Sequence, residues 1–234
     1  MINSFKELNE VLDFISYFRA SFPQITKFHF YIYKPHPGAA AQLVATGKEA
    51  PNLFAERKWQ FEKKVIEAVR NNSTHESHIT NMLRHDPKES TSLFCVEANN
   101  VDTWLLKTLD KIEKDEAIGW VSLCINTDNT FCHLPMMDFS CDISSQNLAF
   151  IKRAMEFMGE KKGIFVNSGN SYHYYGFSVI PISQWHHFMT QCILLGPFTD
   201  VRYIAHRLLS GYCILRISSS ILKQKIPEIV DYID

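Results

Sequence analysis

The feature that most constrains this fold is a run of short elements from Thr130 onward whose hydrophobic period switches repeatedly between two and 3.6. Thr130–Phe139, Ile164–Asn167, Tyr172–Val179 and Tyr212–Ser218 alternate or are rich in β-branched and aromatic residues, as strands are. Ser145–Met158, a segment beginning near Ser183 and Asp200–Ser210 carry apolar residues at helical spacing. Ser168-Gly169-Asn170-Ser171 separates two of the strands as a hairpin turn. The resulting order, β-α-β-β-α-(α)-β, is a split β-α-β unit, in which an antiparallel sheet is backed by helices. The predicted class is α+β.

Upstream, residues 3–20 place Phe5, Leu8, Val11, Leu12, Ile15 and Phe18 on one helical face, with Pro23 beyond its end. Ile25–Tyr33 (ITKFHFYIY) reads as a strand broken by Pro35-His36-Pro37-Gly38. Residues 55–71 and 101–116 read as helices, and the polar stretch 71–92 as a connection or a pair of short helices. Trp120–Asn126 pairs with Thr130–Phe139 across Thr127-Asp128-Asn129, and residues 219–234 read as helical, interrupted at Pro227. This reading divides the chain into an N-terminal α/β unit, 1–118, and a sheet-based core, 119–234, packed as one body.

Composition removes several function classes. The chain has 234 residues, 46% of them apolar and 21% charged, as in ordinary globular proteins. No apolar run reaches the roughly 18 residues of a membrane span, and the start lacks a signal-peptide pattern, so a cytoplasmic protein without membrane contact is expected. The six cysteines form no C-x-x-C pair and read as buried reduced thiols. A net charge of −1 gives no global attraction to nucleic acid, so any strand-binding surface must be a local patch. Arg202, Arg207, Arg216, Lys223 and Lys225 form one basic cluster; Arg57, Lys58, Lys63, Lys64 and Arg70 form another.

Three polar landmarks occur in order. The first is Met136-Met137-Asp138-Phe139-Ser140-Cys141-Asp142; the second is Ser168-Gly169-Asn170-Ser171-Tyr172-His173; the third is Asp200, followed by a helix and Leu215-Arg216-Ile217-Ser218. Carboxylates at strand ends can share a Mg²⁺ with substrate phosphates, and a Gly turn flanked by Ser and His offers donors to phosphate oxygens. Each residue also has a plainer role open to it. Asp138 can be a strand-end surface acid, Ser168-Gly169-Asn170 only a turn, His173 a packed sheet histidine, Asp200 an N-cap and Arg216 an ion-pair partner.

In this order the landmarks resemble the archaeo-eukaryotic primase superfamily, which includes primase-polymerases and small stand-alone primase-like proteins. The resemblance covers roughly residues 119–220 and implies an RRM-like sheet. It places Asp138 and Asp200 at catalytic metal positions, with Asp142 as a further acid, and Mg²⁺ or Mn²⁺ as the ion. It places Ser168, Gly169 and His173 at nucleotide-contact positions and Arg216 at a phosphate contact. The partners it implies are a nucleoside triphosphate, single-stranded or primed nucleic acid, and a larger protein complex.

One departure bears on chemistry. Many family members carry two acids spaced Asp-x-Asp in the first landmark, whereas Ser140 stands at the second position here. On a regular strand Asp142 would lie ~13 Å from Asp138. Two readings follow: a metal-dependent nucleotidyltransferase, or a catalytically reduced relative that binds nucleotide or nucleic acid. For the latter, Tyr172, Tyr174, Tyr175 and Phe177 are a row of rings able to stack bases.

Overall fold

The computed structural model describes residues 13, 15–34, 66–67, 69–72, 91–220 and 224–234. The chain divides into two compact units, one of Met1–Lys34 with Ser90–Asp234, the other Pro35–Glu89. In the second unit, residues 66–67 and 69–70 are helical, leading into a turn at Asn71 and Asn72. The rest of the helix expected over 55–71, and His75, His78 and His85, lie outside the described residues.

The first unit opens on a helix, α1, over residues 15–21, whose Ile15 and Phe18 are fully buried. Strand β1 (Ile25–Tyr33) follows, and pairs antiparallel with β2 (Thr91–Glu97) on one side and β3 (Ala117–Asn126) on the other. The helix α2 (Val101–Leu109) lies between β2 and β3 in sequence. It stops at Leu109 rather than 116, because the charged segment Lys111–Glu116 turns instead of continuing the apolar stripe.

The long strand expected over Thr130–Phe139 is two strands in two sheets. β4 (Phe131–His133) pairs with β3, and β5 (Met136–Asp138) belongs to the second sheet. Pro135 between them has no N–H to give a ladder. The chain changes sheet there, with Leu134 N–H on the Ser122 carbonyl at 2.9 Å and the Pro135 carbonyl accepting from Gly176 N–H at 2.7 Å.

The remaining elements are α3 (Ser145–Phe157), β6 (Gly163–Asn167), β7 (Tyr172–Gly176), β8 (Ile180–Pro181), α4 (Ile182–Leu194), α5 (Val201–Ser210), β9 (Ile214–Arg216) and β10 (Glu228–Ile233). The first sheet runs β2-β1-β3-β4-β8, with β9 also on β3; the second runs β10-β6-β7-β5. In the second sheet β7 is inserted between β5 and β6, the two strands that α3 connects. That is the split β-α-β unit expected from the sequence, and the α+β class with antiparallel sheets holds.

One expectation is corrected. Residues 228–233 are not helical but a strand, because Glu228–Ile233 finds an open edge at β6 and pairs along it. Residues 118 and 119 both lie in β3, and β1 and β2 join the same sheet as β3. Sheet pairing thus ties the N-terminal segment to the later core.

Trp120 of β3, fully buried, joins the sheets. Its ring centroid lies 4.5 Å from Phe18, 5.6 Å from Phe28 and 5.9 Å from Tyr175 of β7. The other face of the second sheet packs under α3, where Ile151 and Met155 are buried and Ser144 caps the helix by accepting from Asn147 N–H. The six cysteines are free thiols, five of them buried and Cys95 exposed. Trp185 and Phe188 form the buried side of α4, with His186 and His187 exposed.

Gly163 shows how tightly the second sheet is built. A Cβ there would lie 2.5 Å from Tyr174 Oη and 2.6 Å from its ring, and Tyr174 is fully buried with its hydroxyl donating to Glu160 at 3.0 Å. The ring has nowhere to go. Gly163→Ala is therefore expected to destabilise the protein by about 2–3 kcal/mol, the upper range for overpacking, read as a shifted urea midpoint. An unchanged midpoint would contradict the packing described.

Candidate functional site

The site forms where β5 ends. Asp138 is cross-strand partner to His173 on β7, and its Oδ1 lies 3.6 Å from His173 Nε2. Asp138 keeps 41% of its side chain exposed while His173 is 7% exposed, so the imidazole is seated in the sheet and the carboxylate looks outward. On the other side of β5, Phe139 forms an antiparallel bridge with Thr199, and Ser140 N–H donates to the Phe198 carbonyl at 2.8 Å. That register sets Asp138 directly across from Asp200. Directly opposed residues have Cβ atoms about 4.5–5.5 Å apart and project to one face. Phe139 and Thr199, pointing the other way, are buried.

Asp200 also caps α5. Its Oδ1 accepts from Arg202 N–H at 2.9 Å and Tyr203 N–H at 3.3 Å, the N-cap role open to it from sequence. The structure therefore sets Asp138 across from His173 on one side and, by register, from Asp200 on the other, residues of three segments far apart in the chain. Asp142 is elsewhere: the chain bends at Cys141, and Asp142 is exposed on the loop before Ser144, its carbonyl accepting from Asn147 Nδ2 at 2.9 Å.

The hairpin between β6 and β7 is held by its own residues. Ser168 N–H and Oγ both donate to the Ser171 carbonyl, at 2.9 and 3.1 Å. Gly169 sits at φ +114°, where a side chain would be strained, and its N–H donates to Asn167 Oδ1 at 2.9 Å. Sequence reasoning passed over Ser171, whose buried hydroxyl donates to the Phe139 carbonyl and fastens the end of β5 to the turn. It also missed Thr199, whose bridge to Phe139 carries Asp200 into place. Neither has a sequence signal beyond proximity to a landmark.

Arg216 lies buried behind the hairpin. Nη2 donates to the Ser168 carbonyl at 2.6 Å, and Nη1 to the carbonyls of Lys225, at 2.9 Å, and Ser218. Burial pushes its guanidinium below the usual value, opposed by Tyr33, Tyr175 and Asp138 nearby. It braces the turn through backbone oxygens. Arg207 is likewise buried, over the Tyr203 ring, so the basic cluster read from 202–225 is not a continuous surface patch. The ring row Tyr172, Tyr174 and Tyr175 is buried as well, at 3%, 0% and 0% exposure, and Phe177 packs against the core. Those rings fill the interior because both faces of β7 are covered, so they offer no platform for bases.

Among the described residues no three His, Cys, Asp or Glu side chains are grouped so as to hold a metal. Two opposed carboxylates are a fitting donor set for one hard cation that completes its shell with water or phosphate oxygens. They are too few for two ions about 3.5–4 Å apart. Beside the site is a cavity of about 700 Å³ lined by Tyr17, Val166, Tyr175, Ile217, Ile229 and Tyr232, among others. Val166 is the cross-strand partner of His173, so cavity and imidazole share a sheet face. Among the described residues no helix is long and apolar enough to cross a membrane.

A family model described as AEP-like, archaeo-eukaryotic primase 1D-like, matches residues 97–228, more than half of the chain. No curated protein and no solved structure matches it. The matched span runs from the last residue of β2 to the first of β10, and so encloses Asp138, the hairpin, Asp200 and Arg216. Split sheet, landmark order and matched span agree, and the chain belongs to the archaeo-eukaryotic primase-like family.

Proposed function

We propose that this primase-like module binds a nucleoside triphosphate together with a single divalent cation, Mg²⁺ or Mn²⁺. The observation that carries the reading is the convergence of Asp138, Asp200 and His173 at the end of β5. Asp138 and Asp200 would hold the cation, which when bound neutralises phosphate charge. His173, fixed in the sheet, presents its imidazole to the triphosphate. The Ser168–Ser171 turn, braced by Arg216, shapes the adjoining wall. The neighbouring cavity has the size of a small-molecule pocket.

Nucleotidyl transfer to DNA or RNA asks more of the site than binding does. Two-ion chemistry needs a further donor, and Ser140 stands two residues past the end of β5 where the second acid would be, while Asp142 is exposed on the following loop. A reduced module that retains nucleotide, as part of a larger complex, is the reading this donor set favours.

The test is calorimetric titration of nucleoside triphosphate with Mn²⁺, against the same titration in chelator. Asp138→Asn and Asp200→Asn are the variants of choice, since asparagine still caps α5. Each is expected to weaken cation-dependent binding by at least about tenfold, roughly 1.4 kcal/mol. Wild-type affinity in both variants would remove the proposed roles. Template-dependent incorporation of labelled nucleotide by the wild type, lost in both variants, would establish transfer instead.

A further inference from the structure

The cross-strand row that contains Asp138 and His173 runs on to an open sheet edge. Asp138, His173, Val166 and Ile229 are successive partners through β5, β7, β6 and β10, so their side chains share one face of the second sheet. Among the described residues no strand lies beyond β10 in that sheet. The edge is apolar, with Ile229, Val230 and Tyr232 between 36% and 47% exposed. Unpaired N–H and C=O groups on such an edge are a template for another strand. The Tyr232 N–H is held within β10 itself, donating to Asp231 Oδ1 at 2.8 Å in an exposed contact that an incoming carbonyl can replace. The cavity described above reaches this edge, where Ile229 and Tyr232 form its wall and Asp13, Glu228 and Asp234 also line it. No lysine or arginine of the described residues does so. Lys225 meets Glu228 at 3.5 Å and Lys152 meets Asp231 at 3.0 Å, which leaves the edge acidic through Asp13 and Asp234.

We propose that the β10 edge docks an extended segment of a partner protein, apolar at alternate positions with lysine or arginine between them, which joins the second sheet as a fifth strand. In strand addition the main chain supplies hydrogen bonds, and pockets for alternate side chains supply the choice of partner. A residue opposite Ile229 projects to the same face as Ile229, so an apolar side chain there turns into the cavity. Glu228 and Asp231 pair with Asn167 and Phe165 and belong to the other face. Residues opposite them alternate with the apolar ones, and a cation there meets a carboxylate. A second copy of this chain does not fit the same edge. Acids at 228, 231 and 234 fall opposite or diagonal to one another in every overlapping register of self-pairing. The added strand lies three strand spacings, roughly 14 Å, from β7, and its docking needs neither nucleotide nor cation.

The probe is a fluorescent peptide of about seven residues, the length of an ordinary strand, alternating valine with lysine. It is titrated with the full chain in chelator and read by anisotropy. Wild-type protein is expected to bind it. The same peptide N-methylated at every second residue cannot complete main-chain pairing and should bind about tenfold or more weakly. A peptide with glutamate in place of lysine should lose as much. Both comparisons use the unaltered protein, so they hold whatever a substitution does to folding. Tyr232→Ala and Glu228→Lys should each weaken binding about fivefold. Asp138→Asn should bind the peptide like wild type even if it no longer takes nucleotide, so the two readings fail separately. The proposal is overturned if wild-type protein does not bind the lysine peptide, if N-methylation or glutamate leaves binding unchanged, or if Tyr232→Ala and Glu228→Lys both bind as wild type does. It is also overturned if light scattering shows a dimer that Tyr232→Ala dissolves, which would make the edge an interface between copies.

Discussion

Replacing Arg216 by methionine is expected to lower the unfolding free energy by about 3–4 kcal/mol, a large fraction of a typical domain's stability. The reason is the number of oxygens it serves. Its guanidinium donates to the carbonyls of Ser168, Ser218 and Lys225, joining the β6–β7 hairpin, the end of β9 and the segment entering β10. Methionine fills similar space but leaves these acceptors without their donor, and an orphaned acceptor costs about 1–3 kcal/mol where it is buried, as at Ser218. Lysine keeps the charge but lacks the planar fork, so Arg216→Lys should recover only part of the loss. Chemical denaturation measures both. If the methionine variant unfolds at the wild-type midpoint, the bracing role is wrong. If it is destabilised as expected, nucleotide affinity should be compared in Arg216→Lys, where a folded turn separates bracing from phosphate contact.

A second large effect is set by pH. His133 of β4 is 1% exposed, stacks on Trp185 with centroids 4.5 Å apart, and its Nδ1 lies 3.0 Å from Ser122 Oγ. Ser122 Oγ already accepts from Cys213 N–H at 2.9 Å, so its own proton is directed at the imidazole, which accepts as the neutral ring. Burial, with His186 adding to it, pushes this histidine down to about 4. The unfolded chain then binds more protons between about pH 6.5 and 4, so stability is complete above that window and is lost as pH falls through it. The depression corresponds to about 3 kcal/mol. Glu160, raised by burial, works in the opposite sense, so the histidine's part is isolated by comparison with His133→Asn, which keeps an acceptor for Ser122 without titrating. Urea unfolding between pH 4.5 and 7 should show a steeper decline in wild type than in the variant; parallel curves would contradict the assignment.

The local chemistry of this chain was readable without coordinates. The alternation in Ile25–Tyr33 marks β1, the Ser168–Ser171 turn opens as a hairpin, and Asp200 caps the helix that follows it. The order of the landmarks by itself points to the family. Other features depended on partners remote in sequence. Pro135 stands in plain view, but that it moves the chain from one sheet to another depends on what β5 meets. The apolar residues of β10 suit a helix or a strand until the edge of β6 is present. The β7 tyrosines alternate like a half-exposed face, and only packing on both sides shows them to be interior.

The same division holds at the site. Spacing along the chain placed Asp138 four residues from Asp142, yet its structural neighbour is Asp200, brought across from it by the Phe139–Thr199 bridge. The family resemblance puts Arg216 at a phosphate contact; in the fold its guanidinium also donates to carbonyls of three segments. Residue types, caps and periods are properties of neighbours in sequence, and they determined the elements, their order and the kinship. Which carboxylates meet, which rings are wet and which cation is enclosed follow from sheet register and burial, which arise only when distant segments close on one another.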